Sequence, residues 1–154
     1  MAFPQPRWIK QVPAGERSDA THKFRHRLAM LYACEDGRMT QDDRELGVYR
    51  RTLARIEGDK EVTSIPLPRW LPSVPEERRG AARTRFLIRA AALYATEEGT
   101  MTALSDALGL HPHTMATLAA GRSSLSPIMC PKIERLCGKM FPKELLNPEV
   151  FADA

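Results

Sequence analysis

The sequence predicts an all-α protein built from two small helical modules in tandem, joined by a Pro-rich linker. Three observations predict it. The chain matches itself when displaced by 62 positions, glycines match in the same frame as apolar residues, and prolines gather between the modules rather than inside them. In that frame Phe24 falls on Phe86, Arg27 on Arg89, Leu31-Tyr32-Ala33 on Leu93-Tyr94-Ala95 and Glu35 on Glu97. Gly37 then falls on Gly99, Met39-Thr40 on Met101-Thr102, Leu46-Gly47 on Leu108-Gly109 and Thr52 on Thr114. Two Ala-rich helices that resembled each other by chance would not also place the glycines. The match therefore marks two copies of one unit of about 60 residues. The 154 residues suffice for one domain or two very small ones.

Each element follows from its local chemistry. Residues 1–17 carry Pro4, Pro6 and Pro13 and form an extended arm. Ser18 or Asp19 is placed to cap a first helix ending near Cys34, at the start of a module spanning 18–61. Residues 62–75 hold Pro66, Pro68, Pro72 and Pro75, a stiff linker. Ser73 and Glu76 have the spacing of a capping box, with Pro75 in the first turn, so a helix runs from there to about Thr96 and opens the second module, 76–154. Both long helices meet an acidic pair and a glycine, Glu35-Asp36-Gly37 and Glu97-Glu98-Gly99, where the glycine supplies a left-handed residue.

After Gly99 the second copy has the spacing of a helix-turn-helix. Leu104 and Leu108 share one face of a short helix, Gly109 makes the corner, and Leu110, Met115 and Leu118 close over them from a second helix. Pro112 falls in that helix's first turn and Gly121 ends it. The pattern resembles the Cro/repressor-type, lambda-repressor-like helix-turn-helix family over most of residues 84–151. The tail, Cys130-Pro131-Lys132-Ile133-Glu134-Arg135-Leu136-Cys137-Gly138 followed by Glu144-Leu145-Leu146-Asn147-Pro148, resembles that of the small YdaS/Cro-like prophage regulators. Ser105 stands where that family usually has alanine at a close packing position. The first copy keeps Leu46, Gly47, Val48, Leu53 and Ile56 but has Asp42 and Asp43 where Leu104 and Ser105 stand. Buried unpaired carboxylates are costly, so this copy is a diverged module.

The resemblance implies sequence-specific binding of double-stranded DNA and transcriptional control in a phage or prophage setting, as a repressor or Cro-like protein in the bacterial host cytoplasm. A recognition helix presents its outward side chains to base edges in the major groove. In the second copy these are His113, Thr114 and Thr117, with Arg122 and Ser123 placed for phosphates; in the first they are Tyr49, Arg50, Arg51 and Arg55, with Lys60 beyond. Arginine suits guanine edges and phosphates, so the diverged copy is electrostatically the stronger reader. Two modules in one chain would cover groove segments roughly 34 Å apart without a second chain. A homodimer or a protein partner is the alternative: the neutral second recognition helix and the two aspartates also suit a protein-binding module such as an antirepressor, polymerase-binding factor or assembly part.

Other residues have simpler readings. Arg7, Trp8 and Lys10 form a basic arm suited to a minor groove or to packing, and Trp70 anchors the linker. Arg78-Arg79 and Arg83-Arg85 are a solvated helix face or phosphate contacts. Net charge is +4, which is modest, and no apolar run approaches the roughly 20 residues of a membrane span. The N-terminus lacks the layout of a secretory signal. Three cysteines, Cys34, Cys130 and Cys137, make no disulfide framework and read as reduced thiols, with Cys34 and Cys130 in packed surroundings. No phosphate loop, nucleophile elbow or His-Glu-x-x-His pair occurs, and His111-x-His113 has no companion ligands at zinc spacing. The expectation is a non-enzymatic protein with no metal, cofactor or small-molecule substrate.

Overall fold

The computed structural model describes residues 3–33, 35, 64–119, 125–138 and 140–147. Among them the chain is helical with no strand. The expectations for Cys34, Gly37, Asp42, Asp43, Gly47 and Gly121 lie outside the described residues. We number the helices α1 (Arg17–Ala33), α2 (Glu76–Ala95), α3 (Met101–Leu108), α4 (Pro112–Ala119), α5 (Met129–Cys137) and α6 (Lys143–Leu146).

Helix α2 is the centre of the molecule, with α1 on one side and α3, α4 and α5 on the other. Its sequence explains this. Phe86, Ala90, Leu93 and Tyr94 form one apolar face, and Leu87, Ile88, Ala91 and Ala92 form another, so little of the second half of the helix is left for water. The helix begins at Glu76 as the spacing predicts, but Pro75 is its cap and no side chain accepts from its first N–H groups. The Ser73 backbone N–H is instead bound to the Trp70 carbonyl in a 3-10 turn over Leu71–Ser73, so Ser73 does not form the predicted capping box. Thr96, in extended geometry, closes the helix; Gly99 follows at φ +65° with its N–H on Thr96 Oγ1.

Both proline-rich stretches are packed rather than loose. The first makes 3-10 turns at Arg7–Gln11 and Ala14–Glu16 and buries Phe3, Ile9 and Val12; the second buries Ile65, Leu71 and Val74. The 62-position frame continues through them: Pro4 falls on Pro66, Pro6-Arg7-Trp8 on Pro68-Arg69-Trp70, Val12-Pro13 on Val74-Pro75 and Arg17 on Arg79. The contacts repeat too. Arg17 donates to the carbonyls of Val12 (2.8 Å) and Lys10 (2.9 Å), and Arg79 to those of Val74 (2.9 Å) and Pro72 (3.1 Å). Trp8 stands edge-on to Phe24 at 6.3 Å, and Trp70 edge-on to Phe86 at 6.2 Å. Each arm is thus tied to its own long helix by an arginine in the first turn and by an indole against a phenylalanine near the middle.

Candidate nucleic-acid interface

The second unit's candidate interface is built on an apolar plug. Thr100 caps α3, its hydroxyl accepting from the Ala103 N–H at 3.1 Å. Leu104 and Leu108 face inward from α3, and Met115 and Leu118 meet them from α4, all buried, with Leu110 packed alongside. Between the helices lie only Gly109, Leu110 and His111. Gly109 adopts the left-handed conformation, φ +69° and ψ 33°, and its N–H with that of Leu110 takes up carbonyls of Asp106 and Ser105 at the end of α3. Ser105 is buried here, and its hydroxyl donates to the Leu110 carbonyl across the turn at 2.9 Å. Serine therefore adds a tether between α3 and the turn where alanine would give only packing.

The turn sets the outer face of α4. The His111 ring accepts the His113 N–H through Nδ1 at 3.0 Å and so caps α4. Among the described residues no group of three metal-ligating side chains comes together. His113 and Thr114 are exposed and Thr117 is half-buried. The Thr117 hydroxyl donates back to the His113 carbonyl at 3.0 Å, leaving its lone pairs for an incoming donor. His113, Thr114 and Thr117 thus sit together on the first two turns of an eight-residue helix whose opposite face is the plug. Arg122 and Ser123, and the first-copy set Tyr49, Arg50, Arg51, Arg55 and Lys60, lie outside the described residues.

The tail packs against α2. Cys130 and Ile133 are buried on α5, and Cys137 Sγ lies 3.4 Å from the Ala91 carbonyl of α2. Burial pushes the Cys130 thiol up, and the Cys137 thiol up to about 12 against the opposing pull of Arg7, so both are packed, protonated groups. Glu134 accepts the Lys143 N–H at 2.7 Å, tying α5 to the start of α6, and Asn147 bonds the Leu125 carbonyl. The exposed positions of the same segment, Lys132 and Arg135, line a crevice with Ala107 and Leu108 at the end of α3. These two cations were not singled out from the sequence. The signal for them is that they are the outward residues of an α5 whose inward ones are Cys130, Ile133 and Cys137.

Several candidate DNA contacts have structural partners. Trp8 Nε1 donates to the Leu93 carbonyl and Trp70 Nε1 to the Leu31 carbonyl, both at 3.0 Å, so both indoles are anchors. Arg7 donates to the Arg135 carbonyl at 3.1 Å. Arg78 pairs with Glu35 at 3.1 Å, and Arg85 approaches the same carboxylate at 3.7 Å. Arg79 binds the carbonyls at 72 and 74, and half-buried Arg83 binds the Leu145 carbonyl. The run 78–85 is therefore a set of ties between segments rather than a free basic face. No described helix is long and apolar enough to cross a membrane. No family model, curated protein or solved structure matches the chain.

Proposed function

We propose that the chain is a sequence-specific DNA-binding regulator that acts by occupying its operator through two tandem helix-turn-helix modules. The observation that carries this reading is the second unit's pair of short helices. They close on Leu104, Leu108, Met115 and Leu118 around a left-handed Gly109, leaving His113, Thr114 and Thr117 outward. A helix held in this way presents base-edge contacts while its partner helix crosses the backbone. Lys132 and Arg135, beside the end of α3, supply cations for the flanking phosphates. Regulation in a phage or prophage setting follows from the sequence resemblance alone.

The first unit adds Tyr49, Arg50, Arg51, Arg55 and Lys60 as readers, and Arg122 and Ser123 extend the second, on sequence grounds. The test is titration of duplex DNA at several salt concentrations. Affinity is expected to fall steeply with salt, as phosphate neutralisation requires. A flat response overturns the reading.

One feature favours a second reading. The stretch Pro112–Ala119 contains no lysine or arginine, which suits contact with a protein surface as well as with bases. In that case α4 is a protein-docking helix, and partners captured from lysate survive nuclease treatment. Loss of the captured material on nuclease treatment supports DNA.

A further inference from the structure

A cavity of about 430 Å³ lies where the first arm and α1 meet the end of α2. Its lining residues are on the arm, on α1 and at or just past the end of α2, outside the α3–α4 pair. The apolar wall is Val12, Phe24, Leu93 and the indole of Trp8. That ring is fixed by its 3.0 Å bond to the Leu93 carbonyl and by its edge-on contact with Phe24 at 6.3 Å. Four acidic residues share the cavity with it, Glu16 and Asp19 from the first unit and Glu97 and Glu98 from the second. Lys23 and Arg27 line it too, and the Arg27 guanidinium is bound to the Glu98 carbonyl at 2.9 Å. Among the described residues no ion pair joins any of the four carboxylates to a neighbour.

The corresponding place in the other unit holds a guanidinium. In the 62-position frame Trp8 matches Trp70, Leu93 matches Leu31, Glu97 matches Glu35, Glu16 matches Arg78 and Lys23 matches Arg85. The match is spatial as well: Trp70 donates to the Leu31 carbonyl at 3.0 Å, as Trp8 does to that of Leu93. There Arg78 lays its guanidinium on the Glu35 carboxylate at 3.1 Å, and Arg85 approaches the same carboxylate at 3.7 Å. One site is thus supplied with its cation by the chain itself. In the other, Glu16 stands in place of that arginine and Asp19 in place of Ala81. Carboxylates gathered in one cavity repel one another, and a cation that enters among them relieves the repulsion.

We propose that this cavity binds a small molecule carrying a guanidinium on an aliphatic stem, the guanidinium taking the place that Arg78 fills in the second unit. A guanidinium is planar, offers several donors to carboxylates and stacks on an indole, so Glu16, Glu97 and the Trp8 ring suit it together. An aliphatic stem lies against Val12, Phe24 and Leu93, where it leaves water. The volume falls within the roughly 300–1,000 Å³ of small-molecule sites. The site stands apart from the α4 face, and the proposal holds whether or not the protein binds DNA.

Calorimetric titration of the full-length protein with agmatine and with L-arginine, at roughly 0.15 M salt, tests this. L-citrulline, which has nearly the shape of arginine without its charge, is the control. At least one of the two guanidines is expected to bind saturably, one per chain, with a dissociation constant below about 1 mM, and citrulline about tenfold more weakly or worse. In NMR spectra the Trp8 indole N–H signal should move on binding while that of Trp70 stays. Glu16 is exposed, so its variants keep the fold. Glu16→Arg installs the second unit's own guanidinium and is expected to abolish binding without lowering the melting temperature. Glu16→Gln removes the charge alone and is expected to weaken binding severalfold. Absence of saturable binding by either guanidine overturns the site. So does equal binding of citrulline, or wild-type affinity in both variants.

Discussion

Across the α1–α2 contact Phe24 meets Tyr94 and Tyr32 meets Phe86, with Leu28 and Leu31 at helical spacing beside them on α1 and their counterparts Ala90 and Leu93 on α2. The opposite sides of the same two helices have parted. Leu87, Ile88, Ala91 and Ala92 lie there on α2, all fully buried; Arg25, His26, Ala29 and Met30 occupy those positions on α1, where Arg25 and His26 are half-buried. The shared face is constrained because it must fit its own copy. The other face need only suit what its own unit places on it. On α2 that is α3, α4 and α5, which require an apolar bed. The pair of units thus behaves as one conserved joint carrying two different outer sides, and the divergence of the first copy begins on its long helix, before Asp42 and Asp43 are reached.

The largest test of that contrast is to exchange the outer faces. Leu87→Arg places on α2 the residue that α1 carries at the same position. Leu87 is fully buried, and a guanidinium there has no water and no built partner, so a loss on the order of 3–5 kcal/mol is expected in urea denaturation. The converse change, Arg25→Leu, alters a half-buried site and is expected to shift stability by about 1 kcal/mol or less. Equal losses from the two substitutions would show that the outer faces are not distinct.

Alkaline unfolding probes the same bed from the α5 side. Cys137 is held against the Ala91 carbonyl with its thiol pushed up to about 12 from an ordinary 9.0, chiefly by burial. The folded pKa exceeds the unfolded one. The contribution is therefore fully present below pH 9 and is lost as pH rises toward 12, at no more than about 1.4 kcal/mol per pH unit. Burial raises the Tyr32 phenol above its ordinary value as well, with the same sign. Wild-type protein is expected to lose stability above pH 9 more steeply than Cys137→Ala, by thermal melts across that range. Parallel slopes would mean that the thiol ionises freely in the folded state.

Next in size is a pair of substitutions on the shared joint. Trp8→Phe and Trp70→Phe each keep an aromatic ring and remove one N–H bond to a carbonyl of the other unit, both 3.0 Å long. Each is expected to cost about 1 kcal/mol. The two costs should agree within a few tenths, and the double change should be additive because the two indoles bond different carbonyls and stand against different rings. A large disparity would break the equivalence of the arms.

The sequence made some of this plain and concealed the rest for a physical reason. The C-terminal ends of both long helices and the five apolar residues around Gly109 were legible, because helical periodicity and a left-handed glycine leave marks at fixed spacing; the caps were not, since α1 begins at Arg17, ahead of the expected Ser18 or Asp19, and Pro75 rather than Ser73 caps α2. The arms carried an equally clear mark, Pro6-Arg7-Trp8 against Pro68-Arg69-Trp70, yet prolines read as punctuation and 3-10 turns have no long period to reveal a buried side. Trp70 was legible as an anchor, but nothing local shows that it anchors to the other unit. The Arg78–Arg85 run read as solvated or phosphate-binding because Glu35 and the Leu145 carbonyl come from distant segments, and the carbonyls at 72 and 74 from a 3-10 turn without a long period. Lys132 and Arg135 gain interest only once α5 is laid beside the end of α3.

The smallest effect is expected at Ser105, where the two copies carry their most unlike small residues, serine here against Asp43. Its hydroxyl is buried and donates to the Leu110 carbonyl at 2.9 Å. Ser105→Ala removes that bond, worth about 1 kcal/mol, but also removes a buried polar group and improves helix propensity by a few tenths. The net loss should be under about 1 kcal/mol, because Gly109 and the apolar plug still set the angle between α3 and α4. Ser105→Asp is the informative partner. It places the first copy's residue in a buried site, where the Leu110 carbonyl that the serine hydroxyl bonds opposes the charge of a carboxylate. It should therefore cost several times more than the alanine. If Ser105→Asp is tolerated as well as Ser105→Ala, then the corner accepts a carboxylate, and Asp43 gives no reason to treat the first copy's corner as different from the second's.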